Sequence, residues 1–169
     1  IKLEKELLEL SITDGLTGLH NQRHFFKELD KEMERAVRQR TPLSLLLFDL
    51  DDFKAYNDLK GHLEGDKVLK SVAPAVLRAV RRVDSTYRYG GDEFTVILPG
   101  APQKEAAQVA ERIKKSFKTM PYLQGINLSI GLVEFDPQYD LTAFIQHADE
   151  AMYSAKKMGG NQIFIYHTN

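Results

Sequence analysis

Gly90-Gly91-Asp92-Glu93-Phe94 is the stretch that decides the fold of this 169-residue sequence. Aliphatic residues extend it to position 98, and residues 83–89 have the character of an incoming strand, so the pattern predicts a tight hairpin. Glycine accepts the positive φ angles of hairpin turns and lets a phosphate chain approach the backbone. Two carboxylates beside such a turn suit a divalent cation such as Mg²⁺. Taken alone, the stretch also fits a surface hairpin with solvated acids.

The composition indicates one ordinary globular domain, since 43% of the residues are hydrophobic and 28% are charged. A net charge of −1 gives no field that would recruit nucleic acid or a membrane surface, so we expect neither partner. The sequence has no cysteine, which excludes disulfides and thiolate metal sites, and it has no apolar run long enough to span a bilayer. We expect a cytoplasmic domain, whose full-length protein could still be membrane-anchored through its N-terminal part.

Residues 1–12 carry Leu3, Leu7 and Leu10 at heptad-like spacing among Glu and Lys. This spacing fits an amphipathic helix packed on its own domain, or the end of a coiled-coil-like linker that joins two subunits. We favour the linker, and because the sequence begins at Ile1 we expect a missing upstream sensory or receiver domain. Residues 13–169 then form the main domain.

The remaining pattern predicts an α/β (α+β) sandwich, with a mixed central sheet flanked by helices and the hairpin next to the first strand. Pro74 is expected to interrupt and kink the third of the helices below. The predicted helices are about 22–40, 52–59, 64–82, 102–118 and 141–158, and the predicted strands are 43–48, 83–89, 94–98, 126–135 and 163–166.

Acidic residues follow the first strand and the hairpin turn. Asp49 ends the apolar run 43–48, and the hairpin offers Asp92 and Glu93. If the two strands are neighbours, roughly 5 Å apart, these acids converge. Three carboxylates with no cation between them repel one another unless a metal ion is present, so the sequence predicts a metal site here.

Residues after the first strand suit a nucleotide. Asp52 opens a helix whose free N–H groups can receive phosphate oxygens, and Lys54 and Lys156 could supply cations, although each lysine also fits a solvated helix face. Asn57 and Asp66 together could bind guanine, because a carboxylate accepts from N1–H and the exocyclic amine, which adenine does not offer there. The ordinary alternative for Asp66 is a helix N-cap.

Ordered blocks from about Ile12 to Phe164 add to the pentapeptide. They are Asp14-Gly15-Leu16-Thr17-Gly18-Leu19 with Asn21 and Arg23, Asp49-Leu50-Asp51-Asp52-Phe53-Lys54 with Asn57-Asp58, Gly61-His62, Gly65-Asp66, Arg88-Tyr89, Ser129-Ile130-Gly131, and Ala148-Asp149 through Tyr153, Ala155 and Lys156. In these blocks the chain resembles the GGDEF family of diguanylate cyclases, which is related to the palm of nucleotidyl cyclases and polymerases.

The resemblance implies condensation of two GTP molecules into cyclic di-GMP, a bacterial second messenger, with release of two pyrophosphates. It implies that Asp49, the Leu50 carbonyl and Asp92 hold Mg²⁺, or Mn²⁺ in its place. Asp92 or Glu93 would help to activate the 3′-hydroxyl. Each domain of this family binds one GTP, so catalysis requires a homodimer of domains. Positioning and charge neutralisation are what such a transfer needs most.

The resemblance also assigns the substrate contacts. Asn57 and Asp66 would read guanine, and Leu16 would contribute to the base pocket. The phosphates would be held by Asp52 through its backbone and by Phe53, Lys54, Gly90, Gly91 and Lys156.

A product-inhibition site is implied by Arg81 and Asp84, which form Arg-x-x-Asp and are separated from Gly90 by five residues. In this family such a pair binds cyclic di-GMP, and Arg112 matches a secondary arginine. The bidentate fit of arginine to phosphate and guanine edges supports this interpretation. The alternative is a helix C-terminus whose cations favour the helix dipole.

The sequence departs from the family at two positions. Gln22 stands where the family commonly has arginine, and Gly160 replaces an arginine expected to contact the terminal phosphates. Loss of such a donor costs about 1.5–3 kcal/mol, or one to two decades of GTP affinity, unless Lys157 compensates. A catalytically weak or silent domain that senses GTP or cyclic di-GMP is therefore the alternative function. A relaxed cyclase with mixed GMP–AMP products is a third, which Asp66 disfavours.

Overall fold

A computed structural model describes residues 1–167 of the chain, and a five-stranded mixed sheet forms its centre. The strand order is β2-β3-β1-β4-β5, with β1 antiparallel to both neighbours and β5 parallel to β4. The strands are β1 Leu43–Leu50, β2 Ser85–Arg88, β3 Glu93–Pro99, β4 Leu128–Glu134 and β5 Ile163–Ile165; the helices are α1 Lys2–Ile12, α2 Gln22–Gln39, α3 Phe53–Lys60, α4 His62–Leu77, α5 Gln103–Phe117 and α6 Leu141–Lys157, with a 3₁₀ turn at Pro121–Leu123. The predicted fold class and element order are confirmed.

Strand β1 is buried at all eight positions because helices cover both faces of the sheet. Leu46 and Phe48 pack with the residues of α4 and α5, whereas Leu45 and Leu47 pack with those of α2 and α6. The continuous apolar run thus places Asp49 at the end of the most protected strand.

Gly131 in β4 fixes how closely α6 approaches the sheet. A Cβ at this position would overlap the carbonyl oxygen of Ala148 and the backbone nitrogen of Met152. The absence of a side chain therefore lets the backbone of α6 lie directly on β4. This contact sets the height from which Lys156 reaches the end of β1.

The predicted third helix differs from α4 at its C-terminal end. We expected it to reach Arg82, but α4 ends at Leu77 and continues through Pro74 without interruption. Beyond it, the Arg81 N–H donates to Asp84 Oδ2 at 2.8 Å. Such a local side-chain acceptor competes with helical hydrogen bonding, which explains the early end. Strand β4 is likewise buried at all but its last residue, because α5 and α6 cover the two faces of the sheet there.

Helix α1 extends from the domain with none of its residues buried. Its Leu3, Leu7 and Leu10 side chains are 67%, 57% and 76% exposed, so the alternative in which α1 packs on its own domain is wrong. Within residues 1–167, no helix combines the length and apolar character needed to cross a membrane.

Candidate active site

The end of β1 and the start of β3 meet as predicted. Asp49 and Glu93 are paired across the two strands, and the Leu50 N–H donates to the Asp92 carbonyl at 3.3 Å. Side chains of a cross-strand pair lie on the same face of a sheet. The carboxylates of Asp49 and Glu93 therefore share the face covered by α6.

Asp49 is buried, with 6% of its surface exposed. Its Oδ2 forms an ion pair with Lys156 Nζ at 2.5 Å, while within the described chain its buried Oδ1 has no hydrogen-bond partner. Burial, aided by the charges of Asp92 and Asp51, raises the pKa of Asp49 to about 6, against the opposing effect of Lys156. The premise that no cation lies among these acids was wrong, since Lys156 lies there.

The donors at this site fit a hard divalent cation. The unpartnered Oδ1 of Asp49 needs a donor or a cation, and the predicted ligands Asp49, Asp92 and the Leu50 carbonyl are all oxygen groups. Among residues 1–167, no group of three or more His, Asp or Glu side chains is arranged to hold a metal ion. The predicted set contains only two carboxylates and a carbonyl, and it stays a prediction.

Glu93 lies in the same acidic environment. Burial raises the pKa of Glu93, and the charges of Asp149 and Asp92 raise it further, while Lys156 opposes them. Asp149 belongs to α6 and is exposed. Sequence reasoning gave it no role, although the block Ala148-Asp149 was one of those that carry the family resemblance.

The hairpin turn differs from the predicted one. Neither Gly90 nor Gly91 has a positive φ angle. The turn is instead closed by the Tyr89 and Gly90 N–H groups, which donate to the Glu93 carbonyl at 2.8 and 3.1 Å. A Cβ at Gly90 would lie 3.2 Å from Glu93 Oε2, so this glycine leaves room for the Glu93 carboxylate.

Arg88 donates hydrogen bonds to this turn; sequence reasoning gave it no role, although the block Arg88-Tyr89 was one of those that carry the family resemblance. Its Nη2 donates to the Gly91 carbonyl at 2.9 Å and its Nε to the Gly90 carbonyl at 3.2 Å. Its Nη1 donates to Asp14 Oδ1 at 3.2 Å. Burial alone would raise the pKa of Asp14, but hydrogen bonds from Thr17 and the Arg88 charge outweigh it and hold that pKa below its ordinary value.

The predicted guanine readers lie on α3 and α4. Asn57 is half-buried on α3, and its Oδ1 is buried without a hydrogen-bond partner among the described residues. Asp66 is half-buried in the second turn of α4; the N-cap is Gly61, so the capping role for Asp66 is wrong. Leu16 packs at the edge of the core.

Three of the residues predicted to bind phosphate, Asp52, Phe53 and Lys54, lie at the start of α3. Asp52 is the N-cap at φ +56° and makes no side-chain capping hydrogen bond. The first N–H groups of a helix have no intrahelical acceptor. Phe53 is 7% exposed and its ring belongs to the core, so only its backbone can reach a ligand, whereas Lys54 is exposed.

Gly160 lies in a loop folded around Asp51. Asp51 accepts from Ser129 Oγ at 2.6 Å and from the Asn161 N–H at 2.7 Å. Gly160 has φ +73°, and a Cβ there would lie 2.8 Å from Asp51 Oδ2. The backbone at 160 therefore has a conformation that favours glycine over the family's arginine.

The predicted product-inhibition residues lie around the connection from α4 to β2. Arg81 Nη2 donates to Asp84 Oδ1 at 2.6 Å and to the Pro99 carbonyl at 2.8 Å, and the Asp84 side chain has no exposed surface. Arg112 Nε donates to the Ala79 carbonyl at 2.9 Å. Because α4 ends at Leu77, the alternative in which Arg81 completes a helix C-terminus is wrong.

Comparison with known sequences identifies relatives over nearly the whole chain. The family profile described as "Diguanylate cyclase, GGDEF domain" matches residues 11–162. The chain is 39% identical over 164 residues to Response regulator PleD of Caulobacter vibrioides (strain NA1000 / CB15N), covering 92% of this chain and 36% of that protein. It is 38% identical over 159 residues to Diguanylate cyclase DosC of Escherichia coli (strain K12), covering 90% and 35%. It thus spans about a third of these curated relatives.

Solved structures show the same fold. The GGDEF domain of DgcB from Caulobacter crescentus, in complex with c-di-GMP, superposes with a TM-score of 0.87 at 32% identity, covering 94% of both chains. The coiled coil and GGDEF domain of the same protein, also with c-di-GMP, gives a TM-score of 0.90 at 30% identity, covering 97% of this chain and 90% of that one. With the profile match and the paired Asp49 and Glu93, these similarities show that the chain belongs to the GGDEF-domain family of diguanylate cyclases.

Proposed function

We propose that this domain is a Mg²⁺-dependent diguanylate cyclase that condenses two GTP molecules into cyclic di-GMP and releases two pyrophosphates. The observation that carries the proposal is the buried Asp49, which lies beside the hairpin acids Asp92 and Glu93 and has one oxygen with no partner among residues 1–167, in a chain of this family. A buried carboxylate with an open acceptor is costly unless a ligand or cation completes it.

The carboxylates of the site and Lys156 would have different roles around the reacting phosphate. Asp49, Asp92 and the Leu50 carbonyl would hold the metal ion, which when bound neutralises phosphate charge and polarises the α-phosphate. Asp92 or Glu93 accepts the proton of the attacking 3′-hydroxyl. Lys156, which is 37% exposed and pairs with Asp49, would contact the phosphates of the bound nucleotide.

The surrounding groups orient the nucleotide. Asn57 and Asp66 bind the guanine, and Leu16 covers the base. The backbone N–H groups at Asp52 and Phe53, with Lys54, receive the outer phosphates at the start of α3. Gly90 and Gly91 let the phosphate chain pass close to the hairpin.

Two copies of the domain are needed because each half-site positions one GTP. The exposed leucines of α1 would pair with those of a second copy and bring the two half-sites together. The DgcB structure that matches 97% of this chain contains a coiled coil and a GGDEF domain, which supports a similar arrangement here. An upstream sensory or receiver domain would then control the encounter, and the protein would act in the cytoplasm.

Product inhibition is part of the proposal. Arg81, Asp84 and Arg112 would bind cyclic di-GMP away from the hairpin turn. The DgcB GGDEF structures in complex with c-di-GMP support binding of this product by the fold. In the ligand-free chain, Arg81 and Asp84 pair with each other, so the product would have to compete for both groups.

The decisive experiment is incubation with GTP and Mg²⁺ at high protein concentration, followed by chromatography of the products. Formation of cyclic di-GMP that is lost in Asp92→Ala supports the cyclase. Absence of turnover even in an artificially dimerised form would overturn it. Equimolar ATP in the same reaction tests the mixed-product alternative, which predicts GMP–AMP products.

A silent sensor is the second candidate, favoured by Gly160. Because glycine replaces the family's arginine at this position, one expected contact to the terminal phosphates is lost. The loop conformation there favours glycine. Tight cyclic di-GMP binding without turnover in the dimerised form would identify a sensor.

A further inference from the structure

Gly65 lies directly against the side chain of Asn57. A Cβ on Gly65 would overlap Asn57 Oδ1 and would lie 2.8 Å from Asn57 Cγ and 3.4 Å from Nδ2. The carboxamide therefore occupies the space that any other residue at position 65 would fill. The two residues belong to different helices, α3 and α4, which join at Gly61.

No backbone requirement explains glycine at position 65. Gly65 is buried inside α4, and it is not among the residues with a positive φ angle. A glycine in a helix interior is less favourable than alanine by about 1 kcal/mol. The three heavy atoms nearest to a Cβ placed on Gly65 all belong to the Asn57 carboxamide, and alanine could not accommodate them where they lie.

The side chain of Asn57 has an unsatisfied hydrogen-bond acceptor. Its Oδ1 is buried and has no hydrogen-bond partner within residues 1–167. Buried carboxamide groups ordinarily have partners, and an unsatisfied one in a native structure calls for a reason. This oxygen is also the atom that a Cβ at position 65 would displace first, so the position of the carboxamide depends on Gly65.

We propose that Gly65 is a specificity-positioning residue, which holds the Asn57 carboxamide in the plane and position that selects guanine over adenine. The inference rests on the proposed function, because it assumes that Asn57 contacts the base. It goes further by assigning selectivity to a residue that cannot touch the nucleotide with a side chain. An alanine at 65 would displace the carboxamide, whereas Asp66, the phosphate-binding residues and the carboxylates near Asp49 would keep their positions.

The first test is nucleotide binding by calorimetry with non-hydrolysable GTP and ATP analogues. Gly65→Ala is expected to weaken GTP-analogue binding about five- to tenfold, the size of one lost hydrogen bond. Binding of the ATP analogue, which depends on the phosphates, is expected to stay unchanged. Equal weakening of both analogues would overturn the proposal, because a general structural defect acts on both.

A double-mutant comparison separates positioning from packing. In an Asn57→Ala background there is no carboxamide to displace, so Gly65→Ala is expected to cause no further loss of GTP-analogue binding. The melting temperature is expected to reverse its response, falling for Gly65→Ala alone and rising for the same change in Asn57→Ala, because alanine then fits the helix better than glycine. Additive losses in the double variant would contradict the proposal.

Gly15→Ala is the matched control, since no heavy atom lies within 4 Å of a Cβ placed there and its φ angle is not positive. Wild-type binding in Gly65→Ala, with weakened binding in Asn57→Ala, would overturn the inference and leave the proposed function standing. Unchanged binding in Asn57→Ala would overturn both the guanine contact and the inference. Cyclic di-GMP formation by the wild type is measured independently of both.

Discussion

Arg88 Nη1 lies 3.2 Å from Asp14 Oδ1, and this contact joins the hairpin turn to the loop that follows α1. The same guanidinium donates to the carbonyls of Gly90 and Gly91. Arg88 thus connects the loop after α1 with the turn that carries Asp92. Because one planar group makes all these hydrogen bonds, the turn and the loop keep a fixed relative position.

We expect Arg88→Ala to reduce cyclic di-GMP formation about 10- to 100-fold, since small displacements of reacting groups have effects of that size. The initial rate at saturating GTP measures this. Arg88→Lys retains the charge but not the planar fork, and we expect an intermediate rate. A fully active Arg88→Ala would show that the turn keeps its position without this contact.

Stability at low pH should depend on Asp14. Its pKa in the folded protein is lowered, so its contribution is complete above the unfolded-state pKa of about 4 and is lost as the pH falls through the folded-state pKa. Because the pair is partly exposed, the effect is expected to be below about 1 kcal/mol. Urea unfolding at neutral pH and at about pH 3 should show a smaller acid loss in Asp14→Asn than in the wild type; an equal loss would contradict the assignment.

Removal of the buried carboxylate tests the metal assignment. Asp49→Ala is expected to abolish Mg²⁺-dependent turnover while the chain stays folded, because Lys156 is exposed enough to reach solvent when its partner is lost. Circular dichroism and the rate of product formation measure the two effects. Retention of more than about a tenth of the rate would refute the role of Asp49.

Product inhibition should depend on Arg81. We expect Arg81→Ala to relieve inhibition by cyclic di-GMP without lowering the initial rate. Since Asp84 is buried, loss of its partner also destabilises the fold, so the melting temperature must be recorded. Arg82→Ala, on the exposed neighbouring residue, is the control. Unchanged inhibition in a folded Arg81→Ala would reject the site.

Gly160→Arg tests the departure from the family. A charged hydrogen bond gains about 1.5–3 kcal/mol, whereas a side chain in the left-handed region costs about 1–2 kcal/mol. The expected net gain in GTP affinity is therefore at most about 2 kcal/mol, or roughly thirtyfold. Gly160→Ala measures the strain alone, and an arginine variant that binds GTP no better than this alanine variant would show that no phosphate contact is restored.

The strands of the sheet and the helices that cover it could be predicted from the sequence, because long apolar runs such as 43–48 and ordered turn residues act locally. The sequence also brought Asp49 next to Glu93. The contacts Lys156–Asp49 and Arg88–Asp14 could not be predicted from the sequence, because they join distant segments through side chains whose orientation depends on the final packing. Likewise, the turn at Gly90 is determined by hydrogen bonds to Glu93 and Arg88, which a preference for positive φ does not describe.

The backbone contact at Gly131 has a mechanical consequence. Helix α6 carries both Lys156 and Asp149, and at Gly131 its backbone lies directly on the backbone of β4. Sliding or tilting of α6 would therefore require the strand to move with it. In the proposed cyclase, the residues around Asp49 would then move as one body, and regulation would act chiefly on how two domains approach each other.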